Sequence, residues 1–453
     1  MKMSKIKDYA KIIVPSILLA VTTWIAWNYY DVHHFIQWVK VAEKEGILRL
    51  YSEAPKCGYM PLAPLLFIIS YLIAKNIIML APLVVKSILS FDYLIFIVKI
   101  PLLMATVATG YLLYKREGWE IAKWWFYGIP VWLVAFTYQF DPIMVFFMLL
   151  GIYCLIDGRY RLGGIFIGIG AAFKFIPLLV MPLGYRIIRD NKKKIEYTLC
   201  TLLPIAIVSL PFVLFDMRAF INKVLGFHIN RYPQMLSVFN IPQLLMYYNL
   251  NLAGLEWLNM IWLPLFIILY CLIYFAFNVK LNDKGSFFLY VSSIILIFLL
   301  FNKVQNPNYI LWVYPFLIYW MTVKRKRLFK ILLLITIVLG TLGYPTLLYF
   351  PAAVLNKPIF IEEDAAWYNA RDLLLNSFTS SLRVFVTKTI EWFDINAHKQ
   401  MVWLYTNFNI IGAFTIALYN SLLCVILYLI LREHIVWSKL KQYTRFLTFR
   451  DKH

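Results

Sequence analysis

The chain returns again and again to runs of 16 to 22 residues without one charged side chain, beginning with Ile12 to Tyr30. Crossing the hydrocarbon core of a bilayer takes about 20 apolar helical residues. Within that core each backbone N–H and C=O must find its partner inside the helix or in a closed barrel. A chain made of such runs folds as an all-α polytopic membrane protein. Composition agrees: 62% of residues are apolar and only 15% charged, against about 25% charged in soluble domains. Ile12–Tyr30 is long enough to span and has no small-residue cleavage site, so it reads as a retained first helix.

Charge then orders the helices. Spans are expected at 12–30, 93–114, 124–138, 142–156, 162–173, 175–185, 197–215, 257–278, 286–301, 308–323, 328–349 and 407–431, about 12 in all. The connections between them alternate. One set (the N-terminus, 115–123, 157–161, 186–196, 280–284, 324–330 and the tail from Arg432) holds 27 basic and 9 acidic residues. Everything else holds 17 and 14. A net charge of +21 would suggest nucleic acid as a partner for a soluble domain. Here it sits in loops that fix orientation, and the positive-inside rule puts both termini and the basic set in the cytoplasm. The opposite side then carries the long segments 31–92, 216–256 and 350–406. One further crossing between Pro61 and Leu83 would invert every later loop, so 60–83 is expected to lie in the outer interface. The chain divides at this level into modules 1–215 and 216–453. Five scattered cysteines show no metal or disulfide spacing.

On that outer side a few ionisable residues need a reason to be there. Asp31 directly follows the first span and is expected to act as a general base, the alternative being a cap for a loop helix starting at Val32. Asp141, just before Pro142, suits either substrate binding or an N-cap. His33 and His34 are neighbours that diverge by about 100° on a helix, so at most one faces a site. Lys174, His228, Arg231 and Lys303 are cations that inside-positive bias does not explain. They suit a phosphate at the membrane surface, or they snorkel to head groups. Lys99, within the second span, fits neither role.

Several stretches, taken in order, resemble the GT-C superfamily of membrane glycosyltransferases, closest to the polyprenol-phosphate-mannose-dependent branch and the first mannosyltransferase of the GPI-anchor pathway. Asp31-Val32-His33-His34-Phe35 and Tyr59-Met60-Pro61-Leu62 are similar to that group's Asp-x-Asp-Tyr loop and Tyr-x-Pro-Leu interface helix. Gln139-Phe140-Asp141 and the Gly-rich hairpin ending in Lys174-Phe175-Ile176-Pro177 resemble its Gln-x-Asp helix and Lys-x-x-Pro. Lys303-Val304-Gln305 through Tyr309 and Trp312 resembles its Lys-Val-x-x-x-x-Tyr-x-x-Trp. The likeness covers residues 12 to about 323. It implies an inverting transfer of a sugar, with mannose the implied one, from a polyprenyl- or dolichyl-phosphate donor to a hydroxyl of a glycan, lipid or protein. Asp31 would be the base, with substrate bound among Tyr59, Asp141, Lys174, His228, Arg231, Lys303, Gln305 and Tyr309, and with His33 near them. His33 replaces the second acid of the pattern, so no cofactor is firmly implied and a divalent metal would lack one carboxylate. The membrane is the plasma membrane or the endoplasmic reticulum. A lipid or lipid-linked-sugar transporter is the rival class, and it would carry its ionisable residues near mid-membrane rather than at one face.

Overall fold

The computed structural model describes residues 2–25, 29–80, 91–231, 233–246, 258–279, 283–323, 327–342, 388 and 408–435. The longer helices are α1 (Lys2–Ile25), α2 (Tyr29–Lys44), α3 (Leu62–Leu80), α4 (Phe91–Glu117), α5 (Trp119–Phe126), α6 (Ile129–Phe136) and α7 (Asp141–Ile156). They continue with α8 (Tyr160–Phe173), α9 (Asn191–Ile221), α10 (Leu258–Ala276), α11 (Lys284–Phe301), α12 (Tyr314–Val323), α13 (Arg327–Leu342) and α14 (Phe408–His434). Among the described residues, five helices are long and apolar enough to cross a membrane: Leu62–Met79, Leu94–Glu117, Asn191–Ile229, Lys284–Phe301 and Ile410–His434. Leu199, Leu203, Ile207, Leu210 and Leu214 form an exposed apolar column along α9, which is how an integral membrane protein meets lipid.

Helices fall on most of the expected spans, but the stretch expected at 175–185 is a 3₁₀ turn, Ile176–Leu179, and a short helix, Pro182–Ile187, and other runs differ locally. The apolar run 124–138 is broken in two at Tyr127 and Gly128, where Pro130 opens α6 in its first turn. The run 308–323 begins as a 3₁₀ stretch, Pro307–Trp312, before α12. The span expected at 197–215 is a longer helix, α9, carrying Pro204 and Pro211 and kinked at Asp216. Residue 215, the end of the first expected module, therefore falls inside that helix. The second expected outer segment begins as a π-helical turn, Asn222–Gly226, and the short helix Phe227–Asn230. Residues 343–387 and 389–407, most of the third expected outer segment, lie outside the described part.

Small residues set how closely the central helices approach, as expected for packing in lipid. A Cβ on Gly164 would stand 2.6 Å from Tyr197 O, and one on Gly168 would overlap Thr201 O, so α8 lies backbone-to-backbone on α9. On its other side α8 meets α7 through Gly151 and Gly163.

The bundle has two chemically different ends. At one, Glu117 accepts hydrogen bonds from Tyr153 and Lys284, while Arg116 forms a two-point pair with Asp157. Arg161 pairs with Glu196 near the starts of α8 and α9. Apart from Tyr153, which belongs to α7, these residues come from four of the basic connections. The first residue of α7 and the last of α11 lead instead to the opposite end. Sixteen helical residues separate the two ends by about 24 Å. A two-residue parallel ladder, β1 (Gln234–Met235) with β2 (Val304–Gln305), ties the second expected outer segment to the end of α11. Helices α2 and α3 run side by side there, from the Phe35–Phe67 ring contact to a Glu43–Lys75 ion pair.

Candidate active site

Asp31 lies in the first turn of α2, which starts at Tyr29 rather than Val32. Its carboxylate points to the connection between α6 and α7, and its Oδ2 accepts a hydrogen bond from Gln139 Nε2 at 2.7 Å. Burial pushes its pKa up to about 6, against the pull of Arg231, Lys174 and the Gln139 amide. Rings wall this place. Phe35, one turn further along α2, packs on Tyr59, Tyr138 and Phe140 with centroids 5.5–5.9 Å away. Tyr59 is part of the same pocket, because its phenol feels the charges of Asp31, Asp141 and Arg231. Its backbone carbonyl accepts from Tyr51 at 2.8 Å.

Asp141 is the first residue of α7, and its side chain makes no cap hydrogen bond. It is fully buried and accepts instead from Lys174 Nζ at 3.0 Å, Asn308 Nδ2 at 2.9 Å and Trp312 Nε1. The N-cap alternative is thus corrected: long-range donors claim the oxygens that would otherwise turn back to the helix. Lys174 ends α8 and stands over the Tyr309 and Trp312 rings at 4.5 and 4.7 Å. Burial works against its charge, but the Asp141 carboxylate outweighs that and holds its pKa above the ordinary lysine value. Tyr309 itself stacks on Trp312 at 3.9 Å. One ion pair and two rings therefore lock together α7, α8 and the 307–312 turn. Sequence gives Asn308 no role and Trp312 only a place in a motif, since their partner lies more than 160 residues away.

The remaining basic residues meet at the same end, where burial and then the neighbouring Arg231, Lys174 and Lys303 hold the His228 pKa down to about 4, so its imidazole is neutral at pH 7. Arg231 donates to Gln234 Oε1 at 2.5 Å and lies 5.3 Å over the Phe227 ring. His228 Nε2 is 2.9 Å from Gly58 O, beside Tyr59 in sequence. Lys303 is buried and donates to Ile229 O, so it also anchors the helix that carries His228. Burial and the nearby Arg231 hold its pKa below the ordinary lysine value. Gln305 lies apart: it is fully buried, with its amide against Leu236 O, Leu299 O and the Tyr419 hydroxyl, where it ties β2 to α14. The His33 side chain is outside the described part. Among the described residues no three His, Cys, Asp or Glu side chains come close enough to hold a metal ion.

Residues 59–301, more than half of the chain, match the model of glycosyltransferase family 87. The chain belongs to that family. The matched stretch of this family 87 protein contains Tyr59, Gln139, Asp141, Lys174, His228 and Arg231. Asp31 and Lys303 lie outside the match, and geometry joins them to it. No curated protein matches the chain. Among solved structures, ArnT from Cupriavidus metallidurans bound to undecaprenyl phosphate is similar over 92% of this chain and 78% of its own length. That likeness has 13% identity and a TM-score of 0.42. By its family and its apolar helices, the family 87 chain is a membrane glycosyltransferase whose ionisable residues gather at one end of a helical bundle.

Proposed function

We propose that the protein transfers a sugar, with mannose the first candidate, from a polyprenyl- or dolichyl-phosphate donor to an acceptor hydroxyl. The reaction inverts the anomeric carbon. Asp31 is the base: it takes the acceptor proton as the oxygen attacks, and its pKa near 6 leaves it ionised yet basic at neutral pH. Arg231 receives the charge that develops on the departing phosphate, and His228, a neutral imidazole beside it, contributes polarity rather than charge. Lys303 contributes from behind the helix that holds them. In this reading Asp141 and Lys174 neutralise each other and form the floor of the site rather than binding substrate. Tyr59 and Tyr309 supply ring faces toward the sugar. The observation that carries the reading is the meeting, in a glycosyltransferase-family chain, of one raised-pKa carboxylate with Arg231 and His228 at one end of the bundle.

The opposite end collects basic connections, which supports a cytoplasmic position for it and an outer or lumenal position for the site. The Glu43–Lys75 pair runs α3 alongside α2 at the site end. That supports an α3 lying in the interface instead of crossing. Purified protein given radiolabelled polyprenyl-phosphate mannose or glucose and a set of hydroxyl acceptors should release free lipid phosphate and label one acceptor. No donor turnover with either sugar, in a folded protein, would refute the proposal.

A further inference from the structure

Lys99 lies in the apolar part of α4, where an ionisable side chain is expensive and asks for a role. It is 1% exposed, and its Nζ donates to Ala135 O at 2.7 Å. Ala135 belongs to the last turn of α6, whose final carbonyls have no donor within the helix. The chain leaves the helix at Thr137, which is extended (φ −95, ψ 177). The N–H that would have reached Ala135, four residues on, is that of Gln139. The lysine amine takes its place as the donor at the negative end of the helix. It also borders a small cavity lined by Thr23 of α1, Thr106 of α4 and Pro142 of α7.

The connection between Ala135 and α7 is the part of the chain that touches the base. Gln139 Nε2 is 2.7 Å from Asp31 Oδ2. Tyr138 and Phe140, on either side of Gln139, each pack 5.5 Å from the Phe35 ring one turn beyond Asp31. The rings hold this connection on the α2 side, and Lys99 holds its root on the α4 side. We infer that Lys99 is a positioning residue for transfer: by capping α6 it fixes the connection that presents the Gln139 amide to Asp31. The inference rests on the reading of Asp31 as the base.

Among the described residues, the groups that face that carboxyl include the Gln139 amide, Arg231, Lys174, Asp141 and the Tyr59 phenol. Only the first hangs from α6. Freeing it leaves the other four in place and removes a donor that favours the ionised form, so the carboxyl should titrate about one pH unit higher, the effect of one hydrogen bond to a charged acceptor.

The test compares the wild type with Lys99→Met, Lys99→Arg, Gln139→Leu and the Lys99→Met/Gln139→Leu double variant. In the pH profile of kcat, Lys99→Met should move the acid limb upward by about one unit with the donor KM unchanged. Lys99→Arg, which keeps a donor, should restore the wild-type limb. Gln139→Leu should reproduce the shift, and the double variant should add nothing to it. The infrared band of the protonated carboxyl, assigned by its loss in Asp31→Asn, follows the same titration without substrate. A carboxyl that titrates in Lys99→Met as it does in the wild type overturns the inference, and so does an additive shift in the double variant. If Lys99→Met does not fold, Lys99→Gln, shorter and uncharged, must show the upward shift by the infrared band, and an unmoved band there counts against the inference. A shifted band together with transfer that survives Asp31→Asn would keep the positioning role and dismiss Asp31 as the base.

Discussion

In an Asp31→Asn variant the carboxylate becomes a neutral amide of the same size that still accepts from Gln139. Two quantities should then move in opposite directions. Transfer should fall about 100- to 10,000-fold, the usual worth of a positioned base. Stability should rise. A carboxyl moved by burial from 3.8 to about 6 costs the folded protein about 3 kcal/mol when ionised, at 1.36 kcal/mol for each pH unit. Because the folded value is the higher one, the contribution of Asp31 is intact below about pH 4 and is lost as pH climbs through about 6. Wild type should therefore lose stability relative to the Asn variant across that window, with a constant gap above it. Once the exposed Cys271 and Cys424 and the half-exposed Cys200 are blocked, thermal unfolding in detergent can be followed by a thiol-reactive dye, because Cys57 and Cys154 are buried until the fold opens. The two proteins should share a Tm near pH 4 and diverge by pH 7, with the variant higher. A variant less stable than wild type at pH 7, or a gap that does not change with pH, refutes the account of Asp31 as a carboxylate held against its solvation. Near-normal transfer by the folded variant refutes its role as base.

Asp141→Asn should behave oppositely, since it strands Lys174 in a buried place: a loss of about 3–5 kcal/mol, read as a lower Tm in the same assay, with an unchanged Tm counting against the floor described above. Arg231→Ala should raise the donor KM far more than the acceptor KM, whereas Lys303→Ala should also lower the Tm because it releases Ile229; equal effects on both substrates by Arg231→Ala would remove the phosphate assignment. Gly168→Ala sets a methyl against Thr201 O and should lower the Tm by prising α8 from α9. An impermeant thiol reagent applied from outside the cell should label Leu225→Cys and not Lys192→Cys, and the reverse pattern would invert the topology.

Hydropathy and charge made the helices legible because membrane insertion reads the same two properties. They were blind to breaks that keep a run apolar: Tyr127-Gly128 interrupts an uncharged stretch, and the Pro130 that signals it changes no hydropathy sum. Asp31 was legible for a related reason, since a carboxylate at the end of a span stands out against its neighbours. Its partner Gln139 lay beside Asp141 in a motif that gave it no role of its own. An amide is uncharged, and the contact spans 108 residues. Gln305 was misplaced for the complementary reason: β2 turns its side chain to α14, an alternation that a two-residue strand inside a loop does not announce.

Asp31 and Asp141 show why residue type alone does not assign chemistry. Both are carboxylates at the same end of the bundle, and sequence offered each a functional and a structural reading. Asp141 receives an ammonium, an amide and an indole N–H while fully buried, so its charge is consumed in joining three parts of the chain. Asp31 keeps a neutral amide neighbour and a pKa near 6, so it retains more affinity for a proton near neutral pH than an ordinary aspartate. The division of labour between two equal side chains comes from which donors the fold brings to each. Those donors are set by Lys174, Asn308 and Trp312 on one side and by the end of α6, under Lys99, on the other.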